Sequence, residues 1–194
     1  DPTPRRMPEE TAGEVCVSGR NSLSSSGCPE LADKYAGHRD LTHTKMIETE
    51  LCAFSTEACR IAARNGVTRV ELCTSPYEGG TTPSAAAIRA ARRIEGLQLS
   101  VMIRPRGGDF LYTDEEFEQM LEEVRFARAC GADCVVAVLL TPDGRIDEHR
   151  TAELVAEAGA MEMTFHRAFD MVRDQDEALE ALIRCGCRRV LTSG

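Results

Sequence analysis

Two Glu-Leu-Cys triplets, Glu50-Leu51-Cys52 and Glu71-Leu72-Cys73, set a carboxylate and a thiol two residues apart at the ends of two short apolar runs. Side chains of an extended chain alternate with period two, so Glu50 shares a face with Cys52 and Glu71 with Cys73. Adjacent strands lie about 4.8 Å apart. Two thiols facing each other across that gap approach closely enough to hold one soft metal ion, chiefly Cu(I), or to form a disulfide. The plainer reading is two small residues filling a narrow layer, because a free cysteine is most often a buried hydrophobe.

A second signal is MIRPRGGDF at 102–110, where an apolar run passes directly into two arginines, two glycines and an aspartate. Arg104 and Arg106 bracket a proline that fixes the backbone, and Gly107-Gly108 permits a turn closed to other residues. Structural salt bridges would also account for such a loop. The motif TFHRAFD at 164–170 adds His166, Arg167 and Asp170, with His166 on the face of Thr164. Glu50, Glu71, Arg104 and His166 together predict a charged, inward cluster in which Arg104 and His166 offset two buried carboxylates. Such a cluster suits general acid and base chemistry on a small anionic substrate, or an oxygen and nitrogen site for a divalent metal. The stretch SPYEGGTTPS at 75–84 contributes Glu78, and its Thr81 and Thr82 ahead of a helix start offer either an anion cradle or a plain turn.

These side chains need elements to carry them. Short apolar runs predict strands at 47–52, 69–73, 99–104, 134–139, 162–166 and 188–192. Amphipathic helices are predicted at 55–65, 84–94, 114–130, 147–158 and 174–184, with Ser or Asp as caps and glycines near their ends. Strand and helix in alternation mean βα units and a parallel sheet. The first strand runs into LCAFSTE without a glycine, against the usual fingerprint of a doubly wound sheet. Polar residues gathered at strand carboxyl ends favour an α/β fold of the (β/α)8 TIM-barrel type. A full barrel of this kind takes about 250 residues, so about six βα units are expected here, with the last two missing and two strand edges open. The barrel domain is expected over 45–194. Residues 1–44, rich in Pro, Ser, Gly and charge, read as a disordered leader whose Cys16, Cys28, His38 and His43 are too scattered to suggest a metal site.

Composition narrows the function. The 194 residues are 42% hydrophobic, enough for one domain with a real core. A formal net charge of -9 supplies no basic field for nucleic acid. No apolar run reaches transmembrane length, so neither a nucleic-acid nor a membrane partner is expected. Nine cysteines, an odd number without paired CxxC motifs, fit reduced thiols in the cytosol better than a disulfide framework or a structural zinc site.

The motifs RVELC at 69–73, EGGTTPS at 78–84, IRPRGGDF at 103–110, TFHRAFD at 164–170 and RVLTSG at 189–194, in that order, resemble the CutC copper-homeostasis family. The resemblance runs from about Met46 to the last residue. It implies a (β/α)8 barrel, a cytoplasmic setting with the nucleus as alternative, and Cu(I) ligands at Cys52 and Cys73. The leader and the absent seventh and eighth strands depart from the family pattern, as an isoform or fragment would. The expected function is therefore Cu(I) binding for copper buffering and tolerance. The alternative is a barrel enzyme of unknown reaction that uses Glu50, Glu71, Arg104 and His166 on a small anionic ligand. A third reading is an inactive form that associates through its open edges, and homo-oligomers are expected of complete relatives.

Overall fold

The computed structural model of the protein describes residues 48–193. The expected leader with Cys16, Cys28, His38 and His43, the strand start at residue 47, and Gly194 lie outside the described residues. Six strands form one parallel sheet: β1 (Glu50–Ala53), β2 (Arg69–Leu72), β3 (Gln98–Met102), β4 (Cys134–Ala137), β5 (Glu162–Phe165) and β6 (Arg189–Val190). Each pairs with its neighbours in chain order, β1-β2-β3-β4-β5-β6. A doubly wound sheet would reverse strand order partway. The unbroken order is that of a TIM-type barrel wall, here of six strands.

Five helices make the crossovers: α1 (Thr56–Arg64), α2 (Ala85–Arg92), α3 (Asp114–Ala129), α4 (Glu148–Ala158) and α5 (Gln175–Cys185). Side-chain oxygens of Ser55, Ser84, Asp147 and Asp174 accept backbone N–H groups at four helix starts, each interaction worth about 1 kcal/mol. The remaining helix, α3, is capped by Thr113 rather than by a serine or aspartate. Thr113 accepts from Glu116 N while the Glu116 carboxylate accepts from Thr113 N, a reciprocal capping box. Two short 3-10 segments, Pro76–Glu78 and Arg167–Met171, follow β2 and β5.

Period two divides the sheet into two faces. Val70, Leu72, Leu99, Val101, Ile103, Val135, Ala137 and Met163 point outward and pack against Phe117, Met120, Leu121 and Val124 of α3 and Leu154 of α4. Most of these side chains are fully buried, so truncating Leu99 or Met120 to alanine removes about 2–5 kcal/mol. The opposite face carries a smaller cluster of Cys73, Met102 and Val136, with Cys52 packed against it. That inner face bears the chemistry.

Register staggers the two triplets. Glu50 lies opposite Arg69, and Cys52 opposite Glu71. Tilted strands of a barrel impose such a stagger. It moves Glu50 below the depth of Glu71, where equal depth was expected. The ladders also end sooner than the sequence suggests, so Cys73, Arg104 and His166 stand just past the last paired residues of β2, β3 and β5.

Candidate metal centre

The thiols of Cys52, on β1, and Cys73, at the end of β2, face each other with Sγ atoms 3.7 Å apart. A disulfide needs about 2.05 Å, and both cysteines are free. A metal ion fits the gap: two metal–thiolate bonds of about 2.3 Å each span the observed separation. Cys73 is buried, whereas Cys52 is half-buried and leaves a way in. The Cys73 thiol is held far above its ordinary value by its hydrogen bond with Cys52, then by burial, then by the charge of Glu71. Without a metal, then, Cys73 keeps its proton, and a cation that displaces it is what makes a thiolate there.

Glu71 is the third member of the group, its carboxylate lying with the two sulfurs within 4.8 Å. The carboxyl is 9% exposed, and burial, reinforced by the charge of Glu50, pushes its pKa up to about 7 against an opposing hydrogen bond from Cys73. Glu50 itself is drawn to the bottom of the sheet by Arg69, whose Nε stands 2.8 Å from Oε2. The predicted offset of Glu50 by Arg104 and His166 is therefore replaced by an ion pair with the residue directly across the ladder.

Arg104 is only 5% exposed, yet it makes no ion pair with any described residue. Its Nη1 donates to Glu78 O at 2.7 Å and Gly80 O at 3.1 Å, and Nη2 donates to Gly108 O at 2.9 Å. One guanidinium thus ties the loop after β2 to the loop after β3. Phe110 covers it, with the guanidinium carbon 4.8 Å from the ring centroid. Phe110 also meets His166 edge-on, at 5.0 Å between centroids. Burial and the neighbouring Arg104 charge lower His166 to about 3, and its neutral Nδ1 accepts the backbone N–H of Ala168 at 3.0 Å. His166 therefore caps its own 3-10 turn instead of meeting a carboxylate.

Several other polar residues of these loops also have structural partners. Arg106 pairs with Glu116 at 2.6 Å and Asp109 at 3.0 Å, as a structural loop would. The Thr82 hydroxyl donates to Glu123 and accepts from Arg104 N, while Thr81 exchanges backbone bonds with Thr74, so this stretch behaves as a turn. Asp170 accepts from Thr192 and Ser193. Lower on the inner face, Arg189 Nη2 donates to Cys134 Sγ at 3.2 Å, with Thr164 Oγ1 3.4 Å from that sulfur. Its two-residue spacing from Val136 is the sign in the sequence that Cys134 faces inward.

Six parallel strands joined in chain order by five helices, with reactive side chains at the strands' carboxyl ends, define a protein of the TIM-barrel class. A profile of the CutC family matches residues 47–194, and the chain belongs to that family. The CutC family protein of Chromobacterium violaceum is 50% identical over 145 residues, covering 75% of this chain and 59% of that protein. The Porphyromonas gingivalis protein is 48% identical over 148 residues, covering 76% and 60%. This chain spans about three fifths of the length of these curated relatives. A crystal structure from Streptococcus agalactiae, named for copper homeostasis as CutC, superposes with a TM-score of 0.72 at 34% identity, covering 76% of this chain and 72% of that one. A 2,3-dimethylmalate lyase, at 15% identity and a TM-score of 0.52 over 74% of this chain and 53% of its own, shares the fold alone.

Proposed function

We propose that this protein binds Cu(I) between the thiolates of Cys52 and Cys73 and serves copper buffering and tolerance in the cytoplasm. The observation that carries the reading is the 3.7 Å approach of two free thiols on neighbouring strand ends. Soft sulfur ligands select Cu(I) over harder ions. The site lies among Met102 and Val136, an apolar surround that strengthens metal–thiolate interaction and limits water. Family membership agrees with this reading, since the Streptococcus agalactiae relative carries a copper-homeostasis name. Among the described residues no helix is long and apolar enough to cross a membrane.

An acid–base enzyme built on Glu50, Glu71, Arg104 and His166 has less support. Glu50 is engaged by Arg69, Arg104 by three loop carbonyls and His166 by its own turn, which leaves Glu71 beside the thiols. General acid–base chemistry needs such groups convergent on one reacting atom.

The test is an anaerobic Cu(I) titration followed by near-ultraviolet sulfur-to-copper charge-transfer absorption, with folding checked by circular dichroism. One equivalent should saturate the signal in the wild type, and none should develop in Cys52→Ser/Cys73→Ser. Equal titration of both folded proteins would remove the thiol pair from the function.

A further inference from the structure

Resting on the Cys52–Cys73 reading, we propose that Met102 supplies a third sulfur to the same ion, so that the site consists of two thiolates and a thioether at the ends of β1, β2 and β3. Register produces this row. Leu72 lies opposite Val101, and the residues that follow them are Cys73 and Met102. Cys73 is in turn bound to β1 through its N–H to Ala53 O at 2.9 Å, next to Cys52. Three neighbouring strands therefore each bring one sulfur-bearing side chain to adjoining positions of the inner face, Cys52 reaching Cys73 diagonally across the stagger.

Packing agrees with register. Cys73, Met102 and Val136 form one buried cluster, and Cys52 packs on it. Met102 is 4% exposed, so its thioether lies within the protein and not in water. Gly80 supplies an independent marker of where these atoms converge. A Cβ built on Gly80 would lie 3.4 Å from Cys73 Sγ and 3.7 Å from the Met102 methyl, so both side chains border the same small space. The absence of a side chain at Gly80, together with its φ of +93°, keeps that space open above the sulfurs.

Chemistry distinguishes the thioether from the other neighbours. A first-row ion already held by two thiolates accepts a neutral, polarizable thioether readily when it is Cu(I), whereas Zn²⁺ takes thiolate, imidazole or carboxylate. Met102 has three rotatable bonds with which to turn its sulfur toward the pair. Val136, the next inward residue along the row, has no donor atom, so the sulfur row ends at β3. The site is thereby set for Cu(I) against Zn²⁺ by the residue on the third strand.

The experiment uses protein labelled with selenomethionine, loaded with Cu(I) alone under anaerobic conditions, and measured at both the selenium and copper X-ray absorption edges. One selenium of the seven methionines should show a directly bonded copper, and that contribution should vanish in Met102→Leu. Leucine keeps the packing volume at a cost below about 1.5 kcal/mol. Its Cu(I) affinity, read by chelator competition, should fall by at least the roughly tenfold that loss of an outer-shell partner causes at metal sites. Copper bound by two sulfurs with no selenium neighbour would overturn the role of Met102 and leave the dithiolate reading intact. A folded protein that takes up no copper would overturn both.

Discussion

The ends of β1 and β2 differ from the ends of β3 and β5 in what their polar atoms are doing. At β1 and β2, two thiols face each other with a carboxyl beside them, and among the described residues no cationic side chain pairs with any of the three. At β3 and β5, Arg104 and His166 make side-chain hydrogen bonds to loop backbone, which they hold in place. Both regions look equally chemical as residue types. Only the first keeps its reactive atoms mutually available, which is why the proposed site is placed there and the second is read as the frame that shapes the loops above it.

The largest effect that could break this comparison is on stability at Arg104. In Arg104→Met, the carbonyls of Glu78, Gly80 and Gly108 lose a charged donor inside the protein. Each such bond contributes about 1.5–3 kcal/mol, so unfolding in urea should show a loss of at least about 3 kcal/mol at unchanged slope. A loss too small to separate from zero would mean that Arg104 is not the clamp described.

Glu71 gives a pH-dependent counterpart on the other side. Its folded pKa of about 7 lies above the ordinary 4.5, so the native state holds this proton more tightly than the unfolded chain does. The stability it contributes is complete below the ordinary value and is lost as pH rises through about 7, by up to about 3 kcal/mol. Glu71→Gln should remove that slope, and the variant should gain on the wild type in urea midpoints measured across that range. Parallel pH profiles would show that the carboxyl ionises normally.

His166 should act in the opposite direction and further from neutrality. With a folded pKa of about 3 against 6.5, its contribution is present above 6.5 and declines as pH falls toward 3. Nitrogen chemical shifts of its ring should report a neutral imidazole well below pH 6.5; an imidazolium just under that value would place a negative partner beside it. The smallest effect belongs to Arg106→Ala, a half-buried arginine that pairs with two carboxylates and donates to carbonyls of its own loop, which should shift the urea midpoint less than Arg104→Met does. A shift as large as that of Arg104→Met would erase the distinction between the two arginines.

Much of the frame was legible because it rests on local periodicity. The six apolar runs, the five amphipathic helices and the absence of glycine after β1 pointed to a barrel wall, and parity put each cysteine on the face of the glutamate two residues before it. The two-residue stagger that pairs Glu50 with Arg69 was not legible, since register depends on strand tilt and packing across the whole sheet. Nor were the partners of Arg104, which are backbone carbonyls brought in by two loops and leave no mark in side-chain type. In the sequence Met102 is one residue of an apolar run that enters an arginine loop. Its place beside Cys73 emerges only once β2 and β3 are aligned.

The most direct test of the contrast between these regions is copper-edge X-ray absorption of the Cu(I)-loaded wild-type protein. A first shell made of sulfur, abolished by Cys52→Ser/Cys73→Ser, is the predicted result. A shell of nitrogen and oxygen that survives the double substitution would contradict the account and move the site to Glu71 and His166.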